Sequence, residues 1–274
     1  IAVGYNAQAL GSAGIAIGEE SSTTNGHNGV AIGAYSKTSN EKAISIGAFN
    51  AATGAQSIVM AGNYDTNSSG PVSVASGTRA TVIGAETTVS GNNSLAIGDK
   101  NTVASNRTYA IGNNINVAAG ADDSLVFGTQ ANVGARNSIA MGNTAQALAG
   151  NSTAIGSGTT AKTGYSTALG YQAQAGDPAV TNFNGEYTTA IGGKAKALHA
   201  YTTALGAETN ASGAYATAVG NAAKATHEST TAVGDRSKAI NEFATALGHV
   251  ALASGKNSTA LGTRNEALGE EATA

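Results

Sequence analysis

Cysteine and tryptophan are absent from this 274-residue chain, proline occurs twice, and nine tyrosines and four phenylalanines are its only aromatic residues. Without cysteine there is no disulfide framework to stand in for a hydrophobic core. The same absence suits an exported protein, and many cytosolic chains share it. So few large rings leave little bulk for a thick core, and the apolar share is mostly Ala with Val, Ile and Leu. Such material fills a thin interior, built coil upon coil, better than a globular centre. Charge is scarce as well: charged residues make up 11% and the net charge is −3, which offers neither a basic stripe for nucleic acid nor an acidic tail. No apolar run reaches the roughly 18 residues that a membrane-crossing helix needs, so this segment is expected to make no membrane contact.

The usual signatures of catalysis are missing too. His27, His199, His227 and His249 fall at scattered phases with no carboxylate or thiol partner at ligand spacing, which reads as surface histidine and no metal site. No nucleophile elbow occurs. Aspartate is too sparse for calcium-binding nonapeptide coils, and the glycines recur as turn punctuation rather than as a phosphate loop. An enzyme is not expected, nor a cofactor.

What the chain has in quantity is glycine, 37 residues, and seventeen of these close one short motif. Asn151-Ser152-Thr153-Ala154-Ile155-Gly156 is one copy; the others end at glycines from Gly4 to Gly262, and twelve of the sixteen gaps between them are fourteen residues. The residue before each motif glycine is always apolar, as at Ile17, Ile155 and Leu205. Two before it stands Ala in fourteen copies, with Ser45, Val82 and Val126 the exceptions. Three before it the residue is aliphatic in many early copies (Ile15, Val30, Leu95), then Thr eight times running from Thr153 to Thr259. Five after the glycine stands Ala in eleven copies, Val in four and Thr in two. These columns alternate with period two, and they describe two short strands and two tight turns per repeat. A second glycine seven or eight residues after the first (Gly54, Gly91, Gly150, Gly164, Gly213) is expected to supply the other turn. Helix is excluded, because glycine roughly every seventh residue would cost about 1 kcal/mol each time.

Repeats of this length stack like strand on like, about 4.8 Å per coil, into two parallel sheets closed as a flattened roll of some eighteen or nineteen coils. The fold class is therefore all-β, a parallel β-roll over residues 1–274 taken as one repeat domain. Its first strand is apolar on both faces: the branched and Thr columns on one, the Ala column on the other. Only one face can point inward, and the other would leave an apolar stripe larger than a soluble monomer tolerates. Partner copies are expected to cover it, in a symmetric bundle whose number, and the face that turns inward, the columns do not select.

Two inserts break the period, near residues 63–72 and 177–184, and both prolines lie in them. An insertion into a solenoid must loop outward, where either tolerated surface variation or a specificity loop suits the position. Asp177, Phe183 and Asn184 mark the second insert as a candidate ligand-binding loop. Five before the motif glycine, aromatics recur at Tyr165, Tyr187, Tyr201 and Tyr215, then at Phe243 after Ser229. Stacking the coils puts these rings in one ladder about 5 Å apart. It serves either as a seam-covering stack or as a platform for a glycan or extended peptide.

Copies such as Asn257-Ser258-Thr259-Ala260-Leu261-Gly262, and the run from Gly142 to Ala147, resemble the head repeats of the YadA-like trimeric autotransporter adhesins (type Vc secretion), over essentially the whole chain. The resemblance implies a left-handed β-roll assembled as a homotrimer and displayed on the outer membrane surface of a Gram-negative bacterium. It further implies a longer parent with a coiled-coil stalk and a trimeric β-barrel anchor; the chain opens at the end of one repeat and stops partway through another, as a segment of such a parent would. The implied function is non-enzymatic adhesion and virulence, by attachment to collagen, fibronectin, laminin or host cells, with autoagglutination or biofilm formation alongside. The alternative is a structural spacer that projects a distal binding domain.

Overall fold

A three-residue strand with alanine at its centre can approach its neighbour closely on the alanine side only, and that decides how each repeat is wound. In a computed structural model, which describes residues 1–25, 27–62, 72–177 and 187–274, each repeat without an insert consists of a first strand, a tight turn, a second strand and another tight turn. The described residues contain strands and turns and no helix. They form two units, residues 1–136 and 137–274. Each unit contains nine repeats, with strand boundaries such as Thr153–Ile155 and Thr160–Ala161. The result is a parallel β-solenoid with turns of about fourteen residues, as the columns predict.

Within each unit the register is column on column. Thr153 faces Thr167, Ala154 faces Ala168 and Ile155 faces Leu169, all in parallel. The second strands stack likewise, Gln146 on Thr160 and Ala147 on Ala161. The same register holds across the long gaps. Thr167, Ala168 and Leu169 pair with Thr189, Ala190 and Ile191, and Ile58, Val59 and Met60 pair with Thr81, Val82 and Ile83. In the sequence, the thirty-seven positions from Gly47 to Gly84 read as fifteen to Gly62 and then twenty-two; the pairing revises this, because Met60 occupies the apolar column and Ala61 the place of the motif glycine, fourteen after Gly47. Asn50 holds Ala61 in this place by donating from Nδ2 to the Ala61 carbonyl at 2.6 Å. Apart from Val72 and Asp177, the inserts lie outside the described residues.

The open question of which face turns inward has a clear answer. From the second coil onward the central Ala or Val of the first strand is fully buried, as at Ala16, Val82, Ala154 and Ala260, and so are flanking residues of the second strand such as Ala145 and Ala147, whereas Ala2 in the first coil is exposed. The interior is thus a narrow space filled by small side chains, in which close packing supplies dispersion contacts that bulk would otherwise provide. Buried Ser and Thr hydroxyls close both turns. Ser152 donates to the Ala149 carbonyl at 2.6 Å and Thr159 to the Gly156 carbonyl at 2.7 Å.

The two turns use glycine differently, which corrects one expectation. Gly156, in the first turn, has φ +127, and a Cβ there would sit 2.5 Å from the Gly170 carbonyl oxygen of the next coil. In the second turn the left-handed residue is not the second glycine but the residue five before the next motif glycine: Asn137, Asn151, Tyr165, Ser229 or Phe243, all near φ +55. The second glycines, Gly91 and Gly213 among them, are required by close approach, because a Cβ would collide with the backbone of the following coil at Ser105 or His227. Bulky residues at positive φ are outliers that cost roughly 1–2 kcal/mol each. The coil-to-coil ladder holds them in place, as where the Tyr215 amide donates to the Ala200 carbonyl at 3.0 Å.

Candidate interaction surfaces

With alanine inside, the branched aliphatic column of the first strand is forced outward, because side chains alternate across a strand. In residues 1–136 the column runs through Ile17, Ile32, Ile46 and Met60, and in residues 137–274 through Leu169, Leu205, Val233, Leu247 and Leu261. Leu205 keeps 43% of its surface exposed and Leu261 48%. The column three before the glycine shares that face, so half-exposed Thr153, Thr167 and their successors run beside the aliphatic residues. Tyr109 interrupts the column as an exposed ring in the first unit. The outward face of the second strand is polar, with residues such as Gln146, Lys196 and Lys238.

The aromatic ladder forms as the spacing predicts for four of its five members. Ring centroids lie 5.0 Å apart from Tyr165 to Tyr187, 5.5 Å from Tyr187 to Tyr201 and 5.2 Å from Tyr201 to Tyr215, with interplanar angles of 11°, 13° and 2°. Near-parallel rings at this separation cover each other's faces and leave their edges and phenol oxygens to solvent. Phe243 has the same backbone conformation and is half exposed, but Ser229 holds the intervening position, so it stands apart from the stack. Asp177 is half-buried at the start of the second insert, while Phe183 and Asn184 lie outside the described residues. A second stack was missed by the sequence reading: Tyr35 and Phe49 pack 4.9 Å apart at 8°. The signal was present, since both residues sit two after the motif glycine in consecutive repeats.

Several charged groups pair between neighbouring coils. Arg107 makes a bidentate contact with Asp123, Nε to Oδ1 at 2.5 Å and Nη2 to Oδ2 at 2.8 Å, and this hydrogen bonding holds the Asp123 carboxyl below its ordinary pKa. Lys256 lies 2.7 Å from Glu242 and lowers the Glu242 pKa in the same way. Glu19 and Glu20 raise the pKa of Tyr35. Asn and Asp side chains also reach to the preceding coil: Asp99 Oδ1 accepts from the Ala85 amide and Asn113 Oδ1 from the Asp99 amide, at 2.8 and 2.9 Å. His249 approaches Asp235 at 3.3 Å, and Thr226 hydrogen-bonds His227 Nδ1 at 3.1 Å. Among the described residues no three His, Asp or Glu side chains converge as a metal site would require.

No curated protein matches the chain as a relative. The family model described as the YadA head domain repeat (2 copies) does match, in twelve stretches, most of them overlapping, from residues 1–21 to residues 253–274, with residues 51–74, 102–118, 174–183 and 210 left uncovered. Each match spans about two turns of the solenoid just described. The fourteen-residue turns, the Ala-lined interior and these matches together show that the chain belongs to the YadA-like head domains of the trimeric autotransporter adhesins, a family of adhesin-type surface proteins.

Proposed function

We propose that this chain is the head of a non-enzymatic bacterial surface adhesin that assembles as a homotrimer through the outward face of its first strands. The observation that carries this reading is the aliphatic column from Ile17 to Met60 in one unit and from Leu169 to Leu261 in the other, left half exposed by the inward turn of the alanines. A contiguous apolar stripe of that length is covered in a stable soluble protein. Identical copies with identical coil pitch cover it most simply when related by rotation about an axis along the stack. Three copies, a left-handed winding, and display beyond a stalk and outer-membrane anchor on a Gram-negative cell are what family membership adds.

The surface left to solvent then binds collagen, fibronectin, laminin or the host cell, and contacts between heads give autoagglutination. The aromatic ladder from Tyr165 to Tyr215, Phe243 and the insert from Asp177 to Asn184 are the candidate contact residues. Sedimentation mass together with solid-phase binding to the three matrix proteins tests the proposal. A folded monomer removes the trimer, and an assembled protein that binds none of the ligands is a spacer instead.

A further inference from the structure

In residues 137–274 the outward column of the second strand begins neutral and then becomes basic. Lys196 pairs in register with Asn210, Asn210 with Lys224, and Lys224 with Lys238. Adjacent rungs of a parallel ladder lie about 4.8 Å apart, so three ammonium groups are drawn up along four coils, two of them on neighbouring rungs. All three lysines are exposed, and none is within ion-pair distance of a carboxylate among the described residues. The column holds no acid until Glu266, two rungs beyond Lys238. Lys194 and Arg236 stand in the turns that lead into Lys196 and Lys238, while the acids of that edge are Glu208 and Asp235, the latter beside His249. Within a protein of net charge −3 this is a local concentration of unneutralised positive charge.

We infer that this face binds a sulfated polysaccharide lying along the stacking direction. The inference rests on the adhesin reading above, which leaves the second strand to solvent. Like charges on neighbouring rungs repel, and a linear polyanion relieves that repulsion at every rung it crosses. Lysine heads on long stems act as adaptable point charges, suited to sulfates placed at irregular positions on a chain. A nucleic acid strand would call for aromatic faces on which bases stack, and none lies in this column. The neutral rung at Asn210 offers an amide to the hydroxyl groups between sulfates.

Heparin is the probe, titrated against the intact protein at several salt concentrations. The parent is expected to bind with an affinity that falls steeply with salt. Replacing Lys196→Gln, Lys224→Gln and Lys238→Gln together should weaken binding at least about tenfold and reduce the slope of log affinity against log salt by about two. Lys37→Gln, in the same column of the other unit, should change affinity less than about threefold, because it removes one isolated charge. Far-UV circular dichroism and sedimentation mass confirm that the variants are folded and assembled. Equal binding by parent and triple variant overturns the inference, as does equal binding of desulfated heparin. A single-stranded DNA oligonucleotide that binds as tightly as heparin, and is lost in the same variant, also overturns it in favour of nucleic acid. Matrix-protein binding by the parent is measured separately: if it persists while heparin fails to bind, this inference falls and the adhesin reading stands.

Discussion

Tyr165 and Tyr187 stack with their ring centroids 5.0 Å apart although 22 positions separate them in the chain. The Tyr187 amide donates to the Gly164 carbonyl at 3.2 Å, and the Thr163 and Thr188 hydroxyls meet at 3.2 Å. The rings therefore carry the coil-to-coil register past an insert that leaves between them. At the other long insert the rings lie before it in the chain: the Val72 amide, at its end, donates to the carbonyl of Phe49, whose ring stacks on Tyr35. Within its own unit each insert follows the turn at which neighbouring coils stack aromatic rings, the first turn for the insert near 63–72 and the second turn for the one near 177–184.

Tyr187→Ser removes two stacking contacts at once and should lower stability by about 1–2 kcal/mol, against about half that for Tyr215→Ser at the end of the stack. Denaturant unfolding followed by circular dichroism reads the difference. Equal losses would show that the rings act singly rather than as a ladder. The triple variant Tyr187→Ser, Tyr201→Ser, Tyr215→Ser should also weaken matrix binding while assembly persists; unchanged binding removes the ladder from the contact surface.

Gly156→Ala and Gly193→Ala should differ in sign. At Gly156 the backbone has φ +127 and a Cβ would meet the Gly170 carbonyl oxygen at 2.5 Å, so a loss of roughly 2–3 kcal/mol is expected. At Gly193 no atom lies within 4 Å of the added carbon, and the substitution should be neutral or stabilise by up to about 1 kcal/mol. Thermal unfolding of the two variants checks both.

Thr23 occupies a core column otherwise held mainly by Ala and Val, and its buried Oγ1 has no hydrogen-bond partner. Thr23→Val keeps the shape and removes the unsatisfied hydroxyl, so a gain of about 1 kcal/mol in unfolding free energy is expected. A loss would mean that the hydroxyl is satisfied in solution.

Ile155→Asp places a charge in the outward column without touching the interior. Assembly should fail while the β-rich circular dichroism persists, because a desolvated, unpaired carboxylate costs several kcal/mol at an interface. Sedimentation mass decides. A variant that assembles like the parent would locate the subunit contacts elsewhere.

The Glu242 carboxyl is depressed chiefly by its hydrogen bond from Lys256 and then by the charge of that lysine. A depressed carboxyl favours the folded state above its unfolded pKa, and that contribution is lost as pH falls through the folded value. Lys256→Met should therefore raise the Glu242 pKa toward the ordinary carboxylate range and flatten the acid limb of the stability profile slightly. Carboxyl-carbon NMR titration measures the shift directly.

Much of this protein is local physics repeated. A fourteen-residue period with two alternating apolar columns per repeat dictates parallel strands, coil stacking and the ring ladder, because each follows from spacing along one strand and from stacking at a constant rise. Tyr165 and Tyr187 could be aligned from sequence alone once the insert was set aside. The orientation of the first strand could not, since Ala154 and Ile155 are both apolar and periodicity does not rank them. Tertiary structure decided it by volume: two strands joined by such short turns enclose room for Ala154 and Ala161 but not for a column of Ile and Leu, so the larger side chains went outward. The placement of Ala61 and the role of Gly91 were likewise decided in three dimensions, because each depends on the backbone of the next coil rather than on its own neighbours in sequence.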